Sequence, residues 1–182
     1  MLDAAASEIR LQGLGATLND IAAAAGVSKG GLLYHFSSKE TLLLELAHSR
    51  VDYFRAGIEA NLDPADHSPG RFTRAYIRAV LDPSQDKAAA MNSVCLLAQL
   101  MVDPAISAIT REANEWLMAE FRADGLPDEL SVFVVAAADG ATATLMWGAR
   151  PDLSRTHRLE RRLIELTWRP EWWTSLPWEE HS

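Results

Sequence analysis

The chain has 182 residues, of which 48% are hydrophobic and 23% are charged, and its formal net charge is -8. These values are typical of a globular protein with one or two compact units. The single cysteine, Cys95, excludes an intrachain disulfide and a zinc cluster built from thiols, and together with the lack of a secretory signal it predicts a cytoplasmic protein. No membrane span is predicted, because Asp139 and Gly140 interrupt the most apolar tract, residues 130–149.

The first predicted element is a helix over residues 2–12. Leu2, Ala5 and Ile9 recur at a spacing that places apolar side chains on one face of a helix. The glycines at 13 and 15 are predicted to end it. A Gly-x-Gly without a third glycine or a preceding strand is a weak match to a nucleotide-binding loop, so this pair is interpreted as a C-cap and turn.

Residues 17–39 are predicted to form two short helices about a tight turn, which is the sequence pattern of a helix-turn-helix. Thr17 is placed to cap the first helix, with Asp20 at the position where a capping box has an acid. Gly26 is predicted to end that helix. Ser28 then caps a second helix of about one and a half turns.

The second of these helices contains few residues that suit a core. Leu32 and Phe36 are predicted to face inward, while the other positions offer hydroxyls, a cation, an imidazole and bare backbone, which suit phosphates and base edges. Gly30 and Gly31 each cost about 1 kcal/mol in helix propensity, and close approach of the backbone to DNA is one reason for them. The alternative is a helical hairpin with a glycine-rich corner, because helix-turn-helix units also occur in proteins that never bind DNA.

Residues 20–43, DIAAAAGVSKGGLLYHFSSKETLL, resemble the DNA-binding signature of the TetR family of bacterial one-component regulators. The matching positions are Ile21, Ala22, Gly26, Val27, Ser28, Lys29, Gly30, Leu32, Tyr34, His35, Phe36, Lys39, Glu40 and Leu42. The resemblance extends over residues 2–50. It implies an all-helical dimer that binds an operator through this unit and senses a small molecule in a divergent C-terminal domain. Leu33 departs from the signature, because many members have an aromatic hydroxyl there, so one phosphate contact is expected to be absent.

The candidate DNA-binding residues follow from this resemblance and from the chemistry of the second helix. They are Thr17, Ser28, Lys29, Gly30, Gly31, Tyr34, His35 and Lys39. Residues 1–50 hold four Lys or Arg against five acids, so only modest nonspecific affinity for DNA is expected. Members of the family usually have a few basic residues before the first helix. Here Met1 almost begins that helix, so either the arm is short or the sequence lacks its natural beginning.

Longer helices are predicted for the rest of the chain, and residues 62–70, with two prolines and a glycine, are predicted to form a loop. The predicted helices cover residues 38–61, 71–81, 85–101, 104–122, 128–147 and 155–168. The first of them begins at a capping box of Ser37 and Glu40, and its length of about 35 Å is enough to join an N-terminal domain to the rest. The tail, 169–182, contains three tryptophans and is expected to lie over the body or over a partner chain.

Together these elements predict an all-α protein of about nine helices in two domains. Residues 1–48 are predicted to be a three-helix, helix-turn-helix DNA-binding domain, and residues 49–182 a helical domain for effector binding and dimerisation. Small residues in the penultimate helix and a leucine seam in the last suit a four-helix interface with a second copy. The candidate interface residues are Ala137, Gly140, Ala141, Leu159, Leu163 and Leu166. The alternative is that they pack inside a monomer.

A sensor of small molecules needs a mostly apolar cavity with a few polar groups. The candidate lining residues are Tyr76, Met91, Asn92, Cys95, Gln99, Trp116, Phe121 and Trp147. For each of them the alternative is an ordinary place in the core. Because the polar groups among them are neutral, the sequence predicts a neutral or weakly polar, mostly apolar effector.

No motif for catalysis is present: there is no Gly-x-Ser-x-Gly, no His-Glu-x-x-His and no phosphate-binding loop, and the five histidines are scattered. The sequence therefore predicts no enzyme, no cofactor and no metal site. It predicts a homodimeric transcriptional regulator, a repressor that a small molecule releases from its DNA operator. The alternative is an interaction protein that keeps the helix-turn-helix fold but binds a protein partner.

Overall fold

The computed structural model describes residues 1–81, 96–143 and 152–175. Within these residues the chain forms nine α-helices, one short 3-10 turn and no strand, which confirms the all-α fold class. The helices are α1 (Leu2–Gln12), α2 (Leu18–Ala24), α3 (Lys29–His35), α4 (Lys39–Ala60), α5 (Arg71–Leu81), α6 (Pro104–Ala123), α7 (Asp128–Ala143), α8 (Leu153–Trp168) and α9 (Pro170–Thr174). The 3-10 turn covers Gly13–Gly15, and residues 96–100 are also helical. Across the described part of the chain, no helix is both long and apolar enough to cross a membrane.

Two compact units are present. Among the described residues, the first unit comprises 1–55 and 96–115, and the second comprises 56–81, 116–143 and 152–175. Helices α4 and α6 each contribute residues to both units. The first unit is therefore discontinuous in sequence.

The core of the first unit is built from small and branched apolar side chains. Ile9, Ile21 and Leu32 are fully buried there, as their helical spacing predicts, and α1 packs on α2 while α2 packs on α3. Leu46 from α4 and Ile106 from α6 are buried in the same cluster. Through this core, the short helix α3 packs against the rest of the first unit along one side.

Helix α5 is the centre of the second unit and packs against both α7 and α8. Its most unusual buried residue is Arg74, whose side chain is inaccessible to solvent. The guanidinium lies 2.7 Å from the Asp66 carboxylate, donates to the Thr167 hydroxyl at 3.1 Å and stacks on the Trp168 ring at 3.7 Å. A buried cation needs such partners, because an unpaired charge away from water is very costly.

A second polar contact fixes the beginning of α5. The Asp124 carboxylate accepts hydrogen bonds from the backbone N–H groups of Phe72 and Thr73, both at 2.8 Å, and so caps the helix from a distant part of the chain. The Gly70 N–H donates to the Asp124 carbonyl at 2.8 Å. Gly70 has φ +86°, and a Cβ there would lie 2.7 Å from the guanidinium of Arg74, so both conformation and space require glycine.

One prediction about an element end needs correction. Helix α4 is capped by Ser38, whose Oγ accepts from the Thr41 N–H at 3.1 Å, because the helix begins at Lys39; the predicted cap at Ser37 is wrong. The tail contains the short helix α9, which begins with a proline at its first position, where that residue is well tolerated. The predicted helices over 85–101 and 128–147 fall in part outside the described residues.

Candidate nucleic-acid interface

Helix α3 begins at a cap made by the residue before it. The Ser28 Oγ accepts a hydrogen bond from the Gly31 N–H at 3.0 Å, as predicted. Leu32 is the fully buried residue of the helix, and Phe36, just beyond its end, is partly buried against the same core. The helix is therefore anchored along one side and leaves its other sides exposed.

Most of the predicted DNA-binding side chains lie on these exposed sides or beside them. The exposed residues are Thr17, Ser28, Lys29, Gly30, Tyr34 and His35, and the half-buried ones are Gly31 and Lys39. Tyr34 is 87% exposed, and its ring centroid lies 5.3 Å from that of His35 in an edge-to-face arrangement. The hydroxyl, imidazole and ammonium of α3 are thus presented to solvent together.

The two glycines of α3 differ in what surrounds them. A Cβ on Gly31 would lie 3.3 Å from the Ser28 Oγ, so the capping contact itself favours a small residue there. A Cβ on Gly30 would meet the same oxygen at 3.9 Å, which is ordinary contact. The fold therefore has no steric need for glycine at position 30.

Thr17 forms a complete capping box with Asp20. The Asp20 N–H donates to the Thr17 Oγ1 at 3.3 Å, and the Asp20 carboxylate accepts from both the Thr17 N–H, at 2.9 Å, and the Thr17 hydroxyl, at 2.6 Å. The hydrogen bond from the Thr17 hydroxyl is the main cause that lowers the pKa of Asp20. Because the hydroxyl hydrogen is used here, Thr17 would have to turn its hydroxyl away from Asp20 to donate to a phosphate.

Lys39 joins α4 to the turn that follows α1. Its ammonium donates to the Leu14 carbonyl at 2.6 Å. An ammonium has three hydrogens, so this contact leaves two for an external acceptor. The turn at Leu14 is a partner that the sequence did not indicate.

The charges near α3 favour an anion despite the acidity of the whole chain. None of the seven residues of α3 is acidic, and Lys29 has no carboxylate partner in the described part of the chain. The Asp3 carboxylate of α1 is paired with Arg50 at 2.8 Å, and that of Asp20 is used in its capping box. These two acids are therefore engaged in contacts of their own.

The second unit contains an aromatic group of four side chains. The Tyr76 and Phe121 rings lie 5.1 Å apart, Phe72 and Phe121 5.3 Å apart, and Phe72 and Trp116 5.9 Å apart, all edge to face. Three of the predicted effector-binding residues, Tyr76, Trp116 and Phe121, thus lie in one aromatic group. Gln99 is exposed on the first unit, and Met91, Asn92, Cys95 and Trp147 lie outside the described residues.

Tyr76 connects this aromatic group to α7. Its buried hydroxyl donates to the Asp139 carboxylate at 2.5 Å. Burial, followed by the negative charge of Asp139, raises the pKa of Tyr76, and burial also raises the pKa of Asp139 although the hydrogen bond from Tyr76 acts in the opposite direction. Both groups therefore keep their protons more firmly than they would in water.

Most of the predicted interface residues pack in or against the core of the second unit. Leu163 is 2% exposed in the core of the second unit, and Ala137, Ala141, Leu159 and Leu166 are partly buried against that core. Gly140 is exposed. The exposed face of α7 consists instead of Val132, Phe133, Ala136, Asp139 and Gly140.

Comparison with known proteins identifies the family. A family model of bacterial regulatory proteins, tetR family, matches residues 1–46, and a model of the tetracyclin repressor-like C-terminal domain matches residues 70–168. The chain belongs to the TetR family of transcriptional regulators. It is 37% identical over 82 residues to the HTH-type transcriptional regulator RutR of Escherichia coli K12, over 45% of this chain and 38% of RutR. The match thus spans less than half the length of that relative.

Solved structures share the TetR fold with this chain over most of its length. A transcriptional regulator of Rhodococcus sp. RHA1 superposes with a TM-score of 0.67 at 21% identity, covering 90% of this chain and 92% of that one. The fatty acid degradation regulator FadR of Bacillus halodurans gives a TM-score of 0.65 at 19% identity, covering 90% and 95%. At these identities the likeness shows the fold alone.

Two features of this TetR-family chain were not predicted from its sequence. One is the pairing of Tyr76 with Asp139, for which the signal was a single acid inside an apolar tract. The other is the exposed face of α7, which lies beside the small residues that the sequence pattern favoured. Both depend on which side of α7 is covered by α5 and α8, and a helical pattern alone does not give that.

Proposed function

We propose that this TetR-family protein is a homodimeric repressor that binds an operator through α3 and is released from it by a small, mostly apolar effector. The observation that carries the proposal is the surface of α3. That helix is held by one buried leucine and presents Lys29, Tyr34 and His35 to solvent beside a glycine that the fold does not need. Side chains of these kinds reach phosphates and base edges in a major groove.

In a twofold dimer two such helices enter successive major grooves, about 34 to 36 Å apart, so the operator is expected to be nearly palindromic. We assign DNA binding to residues 1–48 and effector binding and dimerisation to residues 49–182. Lys29 and Tyr34 would hold the phosphate backbone, while His35 and the bare backbone at Gly30 lie close to the bases. Lys39 would bind a phosphate with the hydrogens that Leu14 leaves unused.

We propose that the effector binds against the aromatic group of Phe72, Tyr76, Trp116 and Phe121. Aromatic rings that meet edge to face leave apolar faces on which a flat or apolar compound can stack. An effector that binds one arrangement of the body better than another shifts the population toward the arrangement it prefers. Release follows if the preferred arrangement holds the two α3 helices at a spacing that no longer fits the operator.

The salt dependence of DNA binding tests the DNA-binding role. The wild-type protein should bind random duplex with an affinity that falls steeply as salt rises, because binding to phosphates releases counterions. Lys29→Ala should weaken binding to all sequences and lower the slope of log K against log salt by about 1. Fluorescence anisotropy of labelled duplexes at several salt concentrations measures both quantities.

Arg122→Ala is the matched control, since Arg122 is an exposed cation at the end of α6 in the second unit. It should leave the slope unchanged. Circular dichroism should show that both variants remain folded. Absence of salt-dependent binding by the wild-type protein would reject the proposal and favour a protein partner; equal effects of the two substitutions would reject α3 as the contact.

A further inference from the structure

The hydrogen-bonded pair of Tyr76 and Asp139 lies where the aromatic group of the second unit meets the surface. The Tyr76 ring is buried beside that of Phe121, with the two centroids 5.1 Å apart, whereas Asp139 is exposed on α7. The Tyr76 hydroxyl donates to the Asp139 carboxylate at 2.5 Å. The rings and the carboxylate therefore lie at the two ends of one tyrosine, and a molecule that binds against these rings lies close to a carboxylate.

The carboxylate of Asp139 has no cation beside it. Across the described part of the chain, no Lys, Arg or His forms an ion pair with it, and α7 carries three acids but neither Lys nor Arg. Burial raises the pKa of Asp139, and the hydrogen bond from Tyr76 does not outweigh this effect. A negative charge that is partly shielded from water and unpaired attracts a cation more strongly than a fully solvated carboxylate does.

The carboxylate of Asp139 also has hydrogen-bonding capacity to spare. An ionised carboxylate accepts up to about four hydrogen bonds. Among residues 1–81, 96–143 and 152–175, the Tyr76 hydroxyl is its hydrogen-bond donor. Because the Tyr76 ring is buried, this bond holds the carboxylate in one orientation while its other acceptor positions face the solvent. A protonated amine can occupy such a position, and hydrogen bonds between ionised groups are about twice as strong as neutral ones.

The rings next to Asp139 favour a cation as well. Phe72 and Tyr76 are one turn apart on the same face of α5, and the Phe121 ring lies edge to face against both of them. Phe72 and Trp116 are only half-buried, so part of each ring is accessible to solvent. The negative face of an aromatic ring attracts a cation, and its apolar surface binds an aromatic body.

Resting on the effector site proposed above, we propose that the effector is an organic cation, with an aromatic body against Phe72, Tyr76 and Phe121 and a protonated amine at Asp139. The sequence predicted a neutral effector instead, because Asp139 was not among the predicted lining residues. A neutral compound of the same shape lacks the ion pair with the carboxylate. An anion is repelled by it, so the site discriminates between effectors by charge.

Three probes that share one naphthalene ring and differ in charge test this inference. 1-Naphthylmethylamine is a cation at neutral pH, 1-naphthalenemethanol is neutral and 1-naphthoate is an anion. Isothermal titration calorimetry of the full chain, without DNA, should find that the amine binds at least about 10-fold more tightly than the alcohol, and the naphthoate more weakly than the alcohol. This comparison is made on the wild-type protein and so does not depend on the folding of any variant.

Three variants then assign the preference to particular residues. Asp139→Asn removes the charge but keeps an acceptor for the Tyr76 hydroxyl, so the affinities for amine and alcohol should come within about 2-fold of each other. Glu129→Gln is the matched control, because it removes one negative charge at another exposed position of α7 and should keep the preference for the amine. Phe72→Leu should weaken binding of amine and alcohol by similar factors, because it removes a ring that both probes contact.

The outcomes separate this inference from the proposed function. Equal affinities for amine and alcohol in the wild type, tighter binding of the naphthoate, or a preference that Asp139→Asn retains would overturn the organic cation and leave the effector site standing. If none of the three probes bound, the effector site and the cation would both be overturned. The DNA-binding role is measured independently by the salt dependence of binding to duplex DNA, and its failure would leave a measured charge preference intact.

Discussion

In the first unit the side chains that cap α2 and α3 accept hydrogen bonds from backbone N–H groups three residues away, whereas in the second unit several polar contacts of α5 join residues 51 to 93 positions apart. The Thr17 and Ser28 side chains each cap the helix that follows them. Arg74 and Asp124 each hold several segments at once. The comparison shows that the helices α2 and α3 of the first unit begin at local signals, whereas α5 of the second unit is held by buried contacts that form only when the chain is folded.

The largest effect is expected from Asp66→Ala in the second unit. This change leaves the guanidinium of Arg74 buried without its carboxylate, and breaking a buried pair by removing one partner costs about 3–5 kcal/mol of unfolding free energy. Urea unfolding followed by circular dichroism measures the loss. Asp63→Ala is the control in the same loop, because the Asp63 carboxylate accepts a hydrogen bond from the Ala65 N–H and does not contact Arg74.

The same pair gives a pH dependence with a defined sign. Burial alone would raise the pKa of Asp66, but hydrogen bonds from Ser68 and Arg74 and the charge of Arg74 outweigh it and hold this pKa below its ordinary value of 3.8. Its stabilising contribution is therefore complete above that value and is lost as the pH falls through the lower pKa of the folded state. Urea unfolding between about pH 5 and about pH 3 should show a loss in the wild type that is smaller in Asp66→Ala. If the free energy of unfolding depended on pH equally in the wild type and in Asp66→Ala, the pairing of Asp66 with Arg74 would be contradicted.

A smaller effect is expected from loss of a cap in the first unit. Ser28→Ala removes the acceptor of the Gly31 N–H and should lower the unfolding free energy by about 1 kcal/mol. Because the lost contact is confined to α3, hydrogen exchange should increase mainly there. Ser37→Ala is the control, since Ser37 is exposed and Ser38 caps α4. If Ser28→Ala lowered the free energy of unfolding as much as Asp66→Ala does, the contrast between the two units would be contradicted.

The smallest effect is a gain of stability from glycine to alanine. Gly57→Ala and Gly30→Ala each place a methyl group where no atom lies closer than 3.9 Å. Because alanine has a higher helix propensity than glycine, each should stabilise the protein by about 0.5–1 kcal/mol. The two should differ in function: Gly30→Ala weakens binding to duplex DNA by keeping the backbone away from it, and Gly57→Ala does not. Thermal unfolding and fluorescence anisotropy test the pair. Unchanged DNA binding by Gly30→Ala would show that the glycine serves another purpose.

Much of the fold was predictable because its signals are local. The helix over 2–12, the capping box of Thr17, the cap at Ser28 and the helix over 71–81 agree with the structure. Each depends on residues within one or two turns of each other, which the sequence shows directly. The short helix α9 was not predicted, and the cap at Ser38 was missed because the adjacent Ser37 offers the same hydroxyl.

By itself the sequence determined the all-α class, the helix-turn-helix and the residues that α3 presents to solvent, since caps, glycines and apolar spacing act within a single helix. The tertiary structure alone decided that Arg74 is buried, that Tyr76 holds Asp139 and that α7 exposes Val132 and Phe133. The physical reason is that these features depend on which face of one helix another helix covers. Burial of that kind is a property of the packed chain, and spacing along the sequence does not contain it.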